Sequence, residues 1–130
     1  MDKHFRHAVE LVKTHKFDNS NEYKLCSLIV KGGKVLSIGY NSRDWNSMTE
    51  AYKVHDWCSS THAEMAAILA KRKKVRFEGS KIYVVRLRAD GSLGMAKPCQ
   101  MCENVLRNYG IKRAIYSIET NEYGVVKYSR

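Results

Sequence analysis

Thr61-His62-Ala63-Glu64-Met65-Ala66-Ala67-Ile68-Leu69-Ala70-Lys71-Arg72-Lys73-Lys74 is the stretch from which the fold is read. Ala63, Ala66, Ala67 and Ala70 have high helix propensity, and Met65, Ile68 and Leu69 supply an apolar side, so a helix is expected over Thr61 to Lys74. Its closing run of cations suits the negative end of the helix dipole. A further helix is expected downstream, opened by Pro98 and running to about Tyr109, with Gly110 as its stop. Between the two, Ile82 to Leu87 reads as a strand and Asp90 to Gly94 as a loop.

Working outward, Phe5 to Lys16 reads as an amphipathic helix, with Phe5, Ala8, Val9, Leu11 and Val12 near helical spacing. Asp18-Asn19-Ser20-Asn21 breaks it. Tyr23 to Val30 and Val35 to Tyr40 are rich in strand formers. The glycines of Lys31-Gly32-Gly33-Lys34 supply the positive φ of a tight hairpin turn between them. Asn41 to Ser60 shows no periodicity. A loop that long in a small domain is either functional or hides an element, and a short helical turn around Met48 to Lys53 would fit. The loop carries Trp45, Trp57 and His55, with Tyr40 and Tyr52 as anchoring candidates. Ala114 to Ile118 and Gly124 to Tyr128 are the last expected strands. Only about six residues separate them, and a parallel crossover needs about a dozen or more. They should form an antiparallel hairpin turning over Thr120 to Gly124. The fold class is α/β, a mixed sheet flanked by helices.

The 130 residues suit one domain, 1–130, with one core. No apolar run approaches the roughly 20 residues that span a membrane. The charged start, Met1 to His7, has no apolar stretch of signal-peptide type behind it, so a cytoplasmic location is the default expectation. In that setting Cys26, Cys58, Cys99 and Cys102 are read as reduced thiols. The formal net charge of +10 points to an anionic partner such as nucleic acid or a nucleotide phosphate. Many of those cations, Lys71 to Lys74 among them, also fit simple solvated faces.

Two short pieces carry the chemistry. Thr61-His62-Ala63-Glu64 opens one helix, and Lys97-Pro98-Cys99-Gln100-Met101-Cys102 opens another. Cys99 and Cys102 are three apart and share a helical face, so they can grip one ion, with His62 as a third ligand. Two thiolates and an imidazole suit Zn2+ and leave the fourth tetrahedral position open for water, which marks a catalytic site more than a structural one. A helix N-terminus favours thiolate. Glu64, two residues past His62, is placed to move the water's proton rather than to ligate. Each piece has a plainer reading. Thr61 and Glu64 also spell a helix capping box. Cys-x-x-Cys alone could be a redox pair or half of a structural zinc site. Cys26 fits a core strand, and Cys58, four before His62, would close the position that water needs if it were a fourth ligand.

His-x-Glu followed by Pro-Cys-x-x-Cys is the signature of zinc-dependent nucleobase deaminases. On these residues the chain resembles the cytidine deaminase superfamily from about Tyr23 onward. The resemblance implies a three-layer fold with a five-stranded mixed sheet and a Zn2+ held by His62, Cys99 and Cys102 between the motif helices. It implies Glu64 as the catalytic proton carrier. It also implies substrate contacts from Asn41, after Gly39-Tyr40, and from the backbone of Ala63. Asn41 is equally a turn asparagine after a strand. Homo-oligomers are common among small members. A terminal strand hairpin resembles the enzymes acting on free cytidine and some related deaminases, whereas His62 looks more like the deoxycytidylate, tRNA and polynucleotide branches and Met101 like the tRNA-adenosine enzymes. Three functions are therefore carried: deamination of cytosine to uracil in a free nucleoside or nucleotide, deamination of cytosine or adenine in single-stranded nucleic acid or tRNA, and a non-catalytic zinc module that binds nucleic acid. Trp45 and Trp57 could stack on bases or anchor the core.

Overall fold

Strand formers on either side of Gly32-Gly33 pair as the first hairpin. In the computed structural model, which describes residues 2–17, 23–55, 58 and 60–128, β1 (Lys24–Lys31) and β2 (Lys34–Tyr40) are antiparallel. Both turn glycines have positive φ, 58° and 78°, the geometry that keeps a two-residue loop in step with strand twist. β1 also pairs antiparallel with β3 (Lys81–Leu87), and β3 pairs parallel with β5 (Arg113–Glu119). β5 turns back into β6 (Glu122–Lys127). The five long strands run in the order β2-β1-β3-β5-β6.

The expected antiparallel terminal hairpin is present, but tighter than the sequence suggested. β6 begins at Glu122 rather than Gly124, and no residue of the turn has positive φ. The ladder instead shifts register between Ser117 and Glu119, a bulge that absorbs the mismatch of twist. A sixth strand, β4 (Leu93–Gly94), pairs with β3 where a loop was expected. Two residues give no period to read, and only their pairing with Arg86 and Leu87 reveals the strand.

Helices cover both faces. α1 (Lys3–Thr14) starts at Asp2, whose carboxylate accepts from the His4 amide, and buries Phe5, Ala8 and Val12 against Cys26, Leu28, Tyr83 and Val85. The thiol of Cys26, buried there, is pushed up to about 12 by desolvation and behaves as a small apolar residue. The other face carries α3 (Ala63–Lys71) and α4 (Gln100–Asn108), packed on Ile29, Ile82, Val84 and Ala114. α2 (Ser47–Tyr52) occupies the long loop, capped by Asn46 onto Thr49.

The helix ends differ from the sequence reading in several places, α1 among them, which runs Lys3–Thr14 rather than Phe5 to Lys16. α3 stops at Lys71 rather than Lys74, because Lys74 and Val75 both turn back onto the Lys71 carbonyl. α4 begins at Gln100 with Cys99 as its N-cap, so Pro98 sits one position outside the cap. No helix among the described residues is long and apolar enough to cross a membrane.

Candidate metal centre and cleft

α3 is held unusually close to the sheet, and sequence explains why. A Cβ on Gly39 of β2 would lie 2.3 Å from the Ala67 nitrogen and 2.4 Å from the Ala63 oxygen. Only glycine permits that approach. Two buried serines then pin the helix: Ser27 Oγ donates to the Ala63 carbonyl and Ser37 Oγ to the Ala67 carbonyl, each at 2.6 Å. The start of α3 is thereby fixed in height and direction over β1 and β2.

His62 is the N-cap of α3 and Cys99 the N-cap of α4, both in extended conformation and neither making a side-chain cap hydrogen bond. Their side chains are free to turn toward each other. His62 Nδ1 lies 3.7 Å from Cys99 Sγ and 3.4 Å from Cys102 Sγ, and the three donor atoms lie within 4.8 Å of one another. For tetrahedral zinc, bond lengths of about 2.3 Å to sulfur and about 2.05 Å to nitrogen put S and N about 3.6 Å apart. The spacing and donor chemistry fit Zn2+ without rearrangement, and the nitrogen presented is Nδ1. No other group of three or more His, Cys, Asp or Glu among the described residues is placed to hold a metal ion. Cys58 stays outside the group.

The capping-box reading of Thr61 and Glu64 does not hold. With His62 at the N-cap, Glu64 is the second helical residue, one short of the box position. Thr61 Oγ1 instead donates to the Asp44 carbonyl and accepts from Asn46, tying the long loop to the helix start. Glu64 is 4% exposed, its carboxyl close enough to Cys102 for each to shift the other. Its desolvation raises the carboxyl above the ordinary carboxylate range.

The two cysteines are driven apart in acidity. The hydrogen bond from Cys102 brings Cys99 down to about 4, while the same bond and burial push Cys102 well up. The hydrogen bond to Cys99 raises His62. Ligation requires both thiols deprotonated and the imidazole neutral, so metal uptake releases protons. An excess of a strong chelator should lower the melting temperature of the loaded protein by roughly 10 °C, read by differential scanning fluorimetry and reversed by Zn2+. An unchanged melting temperature on complete metal removal would refute a metal coupled to this fold.

The site opens into a cleft of about 410 Å³ bordered by Tyr23, Asn41, His62, Ala63, Glu64 and Lys97. Asn41 borders it but is also engaged: its Oδ1 accepts from the Leu25 amide and its Nδ2 donates to the Tyr23 carbonyl, both at 2.8 Å. Those bonds close the end of β2 onto the start of β1. Sequence reasoning missed Tyr23, Lys97 and Met95 as cleft residues, since the chain gives no local pattern for them. Gly39 did carry a signal, being a glycine inside a strand. Trp45 does not border the cleft and is 66% exposed, so it anchors no core. Trp57 lies outside the described residues.

This fold and donor set define a class. The chain belongs to the family described as the cytidine and deoxycytidylate deaminase zinc-binding region, which matches residues 1–118. Cytidine deaminase from Burkholderia pseudomallei is similar in structure, with a TM-score of 0.65 and 21% identity over 98% of this chain and 94% of that one. The apo form of dCMP deaminase from cyanophage S-TIM5 gives 0.59 and 17% identity over 93% and 87%. A diaminohydroxyphosphoribosylaminopyrimidine deaminase/5-amino-6-(5-phosphoribosylamino)uracil reductase from Thermotoga maritima gives 0.51 and 20% identity over 85% of this chain and 27% of that one. No curated protein matches the chain in sequence. At these identities the likenesses speak for the shared fold.

Proposed function

We propose that the protein is a zinc-dependent hydrolytic deaminase converting cytosine to uracil in a free nucleoside or nucleotide: cytidine, deoxycytidine or deoxycytidylate. One observation carries the reading: a buried carboxyl, Glu64, stands beside the convergent donors His62, Cys99 and Cys102 at an open cleft. Zinc, when held by those three, supplies the Lewis acidity that makes water a nucleophile near neutral pH. Glu64 takes the water's proton and passes it to the ring nitrogen beside the attacked carbon. It then carries a proton to the departing amine. A C–O bond forms, the exocyclic C–N bond breaks, and ammonia leaves. The Ala63 backbone and Asn41 line the cleft where base and sugar would lie.

The free-monomer preference rests on the direct β5–β6 hairpin, the arrangement the resemblance associates with enzymes of free cytidine. A second reading, a base within single-stranded nucleic acid, is favoured by the net charge of +10 and by exposed Trp45. The same proposal takes residues 1–130 as one deaminase domain and expects a cytoplasmic homo-oligomer, measurable by sedimentation.

Zinc-loaded protein should release ammonia from at least one of cytidine, deoxycytidine and deoxycytidylate, with a Glu64→Ala control silent. Release from a cytosine-containing oligonucleotide alone would move the protein to the second reading. Silence on every substrate with zinc bound would sink the enzyme assignment and leave the non-catalytic module.

A further inference from the structure

Strand register builds a row of positive charge on the face of the sheet away from the metal. Lys81 on β3 is the Cα partner of Arg113 on β5, and Arg113 is the partner of Lys127 on β6. Partners on neighbouring strands point to one face, so three cations stand side by side over two strand spacings, about 10 Å. Like charges directly opposite one another are destabilising. No close ion pair among the described residues holds them, since the one found joins Lys53 and Glu50; Lys81 alone is partly offset, by the charge of Asp2 and by the Tyr83 ring 5.6 Å from its ammonium. Arg113 Nε is also buried with no hydrogen-bond partner.

The next row on that face is Tyr83, Ile115 and Val125. α1 packs mainly on β1 and β3, burying Ile115 of β5 in its cluster and leaving the outer strand β6 more open. There Tyr123 and Val125 are 51% and 46% exposed, with the Tyr123 ring steadied by Phe5 at 5.8 Å between centroids. A recess of about 220 Å³ lies between Lys81, Arg113 and this ring. Its one carboxylate, Asp2, already accepts from the Tyr83 hydroxyl and the His4 amide. The volume is below the roughly 300–1,000 Å³ of pockets that enclose a small molecule, so the surface suits a ligand lying across it. A cationic track beside an exposed aromatic ring is the means by which single strands are held without reading their sequence.

We propose that this face of β3, β5 and β6 binds single-stranded nucleic acid, with phosphates on Lys81, Arg113 and Lys127 and a base stacked on Tyr123. The site stands independently of which base the metal cleft deaminates. It also gives a use to a row of cations whose mutual repulsion Asp2 offsets only at Lys81.

The test is fluorescence anisotropy of a labelled oligothymidylate, which offers no amine to the metal site, titrated with the full zinc-loaded chain over a range of salt. With about 0.7 counterions released per phosphate contact on a single strand, log K against log salt should have a slope near −2. Lys81→Gln with Lys127→Gln should weaken binding tenfold or more and bring the slope near −0.7, while melting no lower than the parent because repulsion is relieved. Tyr123→Ala should weaken binding about tenfold with the slope unchanged. Lys71→Gln with Lys73→Gln, on the α3 terminus, should change neither. Absent binding, or equal losses from the two lysine pairs, would overturn the proposal. So would binding to phosphatidylserine vesicles in place of the oligonucleotide, or a dimer that the Lys81/Lys127 variant dissociates.

Discussion

Glu64→Gln should lower kcat for deamination by about 10³-fold or more, leaving zinc content at one per chain and substrate affinity within a few-fold. The amide keeps the shape of the carboxyl in a position that is 4% exposed, so packing is preserved. It cannot accept the proton that the reaction must move, and positioned general acid–base groups typically contribute about 10²–10⁴-fold. Because Glu64 is not the capping residue of α3, the helix loses no cap by the change, only the roughly 0.3–1 kcal/mol that a first-turn carboxylate can add. Single-turnover kinetics with metal analysis and a melting curve would check this. A variant that lost its zinc or melted much lower, with activity falling in proportion, would show Glu64 to be structural.

Gly39→Ala is expected to be as damaging from outside the cleft. The added methyl would sit 2.3 Å from the Ala67 nitrogen and 2.4 Å from the Ala63 oxygen, backbone atoms that no rotamer change can move aside. α3 must lift from β2, which strains the hydrogen bonds of Ser27 and Ser37 to its carbonyls. Overpacking commonly costs about 1–3 kcal/mol, and two strained buried hydrogen bonds add about 1 kcal/mol each. Lifting α3 also carries His62 away from Cys99 and Cys102, so zinc affinity should fall together with stability. Chemical denaturation and zinc competition with a chromogenic chelator would measure both. A Gly39→Ala protein with parental stability and zinc affinity would refute this account of how α3 is placed.

The contrast between those two residues shows what was legible in the sequence. Glu64 and the ligands stand in short local patterns whose spacing is meaningful alone, and the fold brings His62, Cys99 and Cys102 together as the patterns implied. The hairpins and the three long helices are similarly local, carried by period, glycine and caps. Ser27 and Ser37 act across 36 and 30 residues and Gly39 approaches Ala63 and Ala67 from comparably distant sequence, and nothing near them in sequence names α3 as their partner. β4 was missed because two residues have no period. The plainer capping-box reading fails because Thr61 is drawn into the loop by Asp44 and Asn46, a tertiary pull that local propensity does not register.

The unused caps at His62 and Cys99 have a consequence for how this protein can change. Serine, aspartate or asparagine at a helix N-cap typically adds about 1 kcal/mol over a residue that makes no cap bond. Each ligand therefore occupies a position where a better helix starter exists. A drift to Ser at 99 or Asp at 62 would make the metal-free chain sturdier while dismantling its centre. In the metal-free chain these two positions work against helix formation, and only the bound metal offsets them.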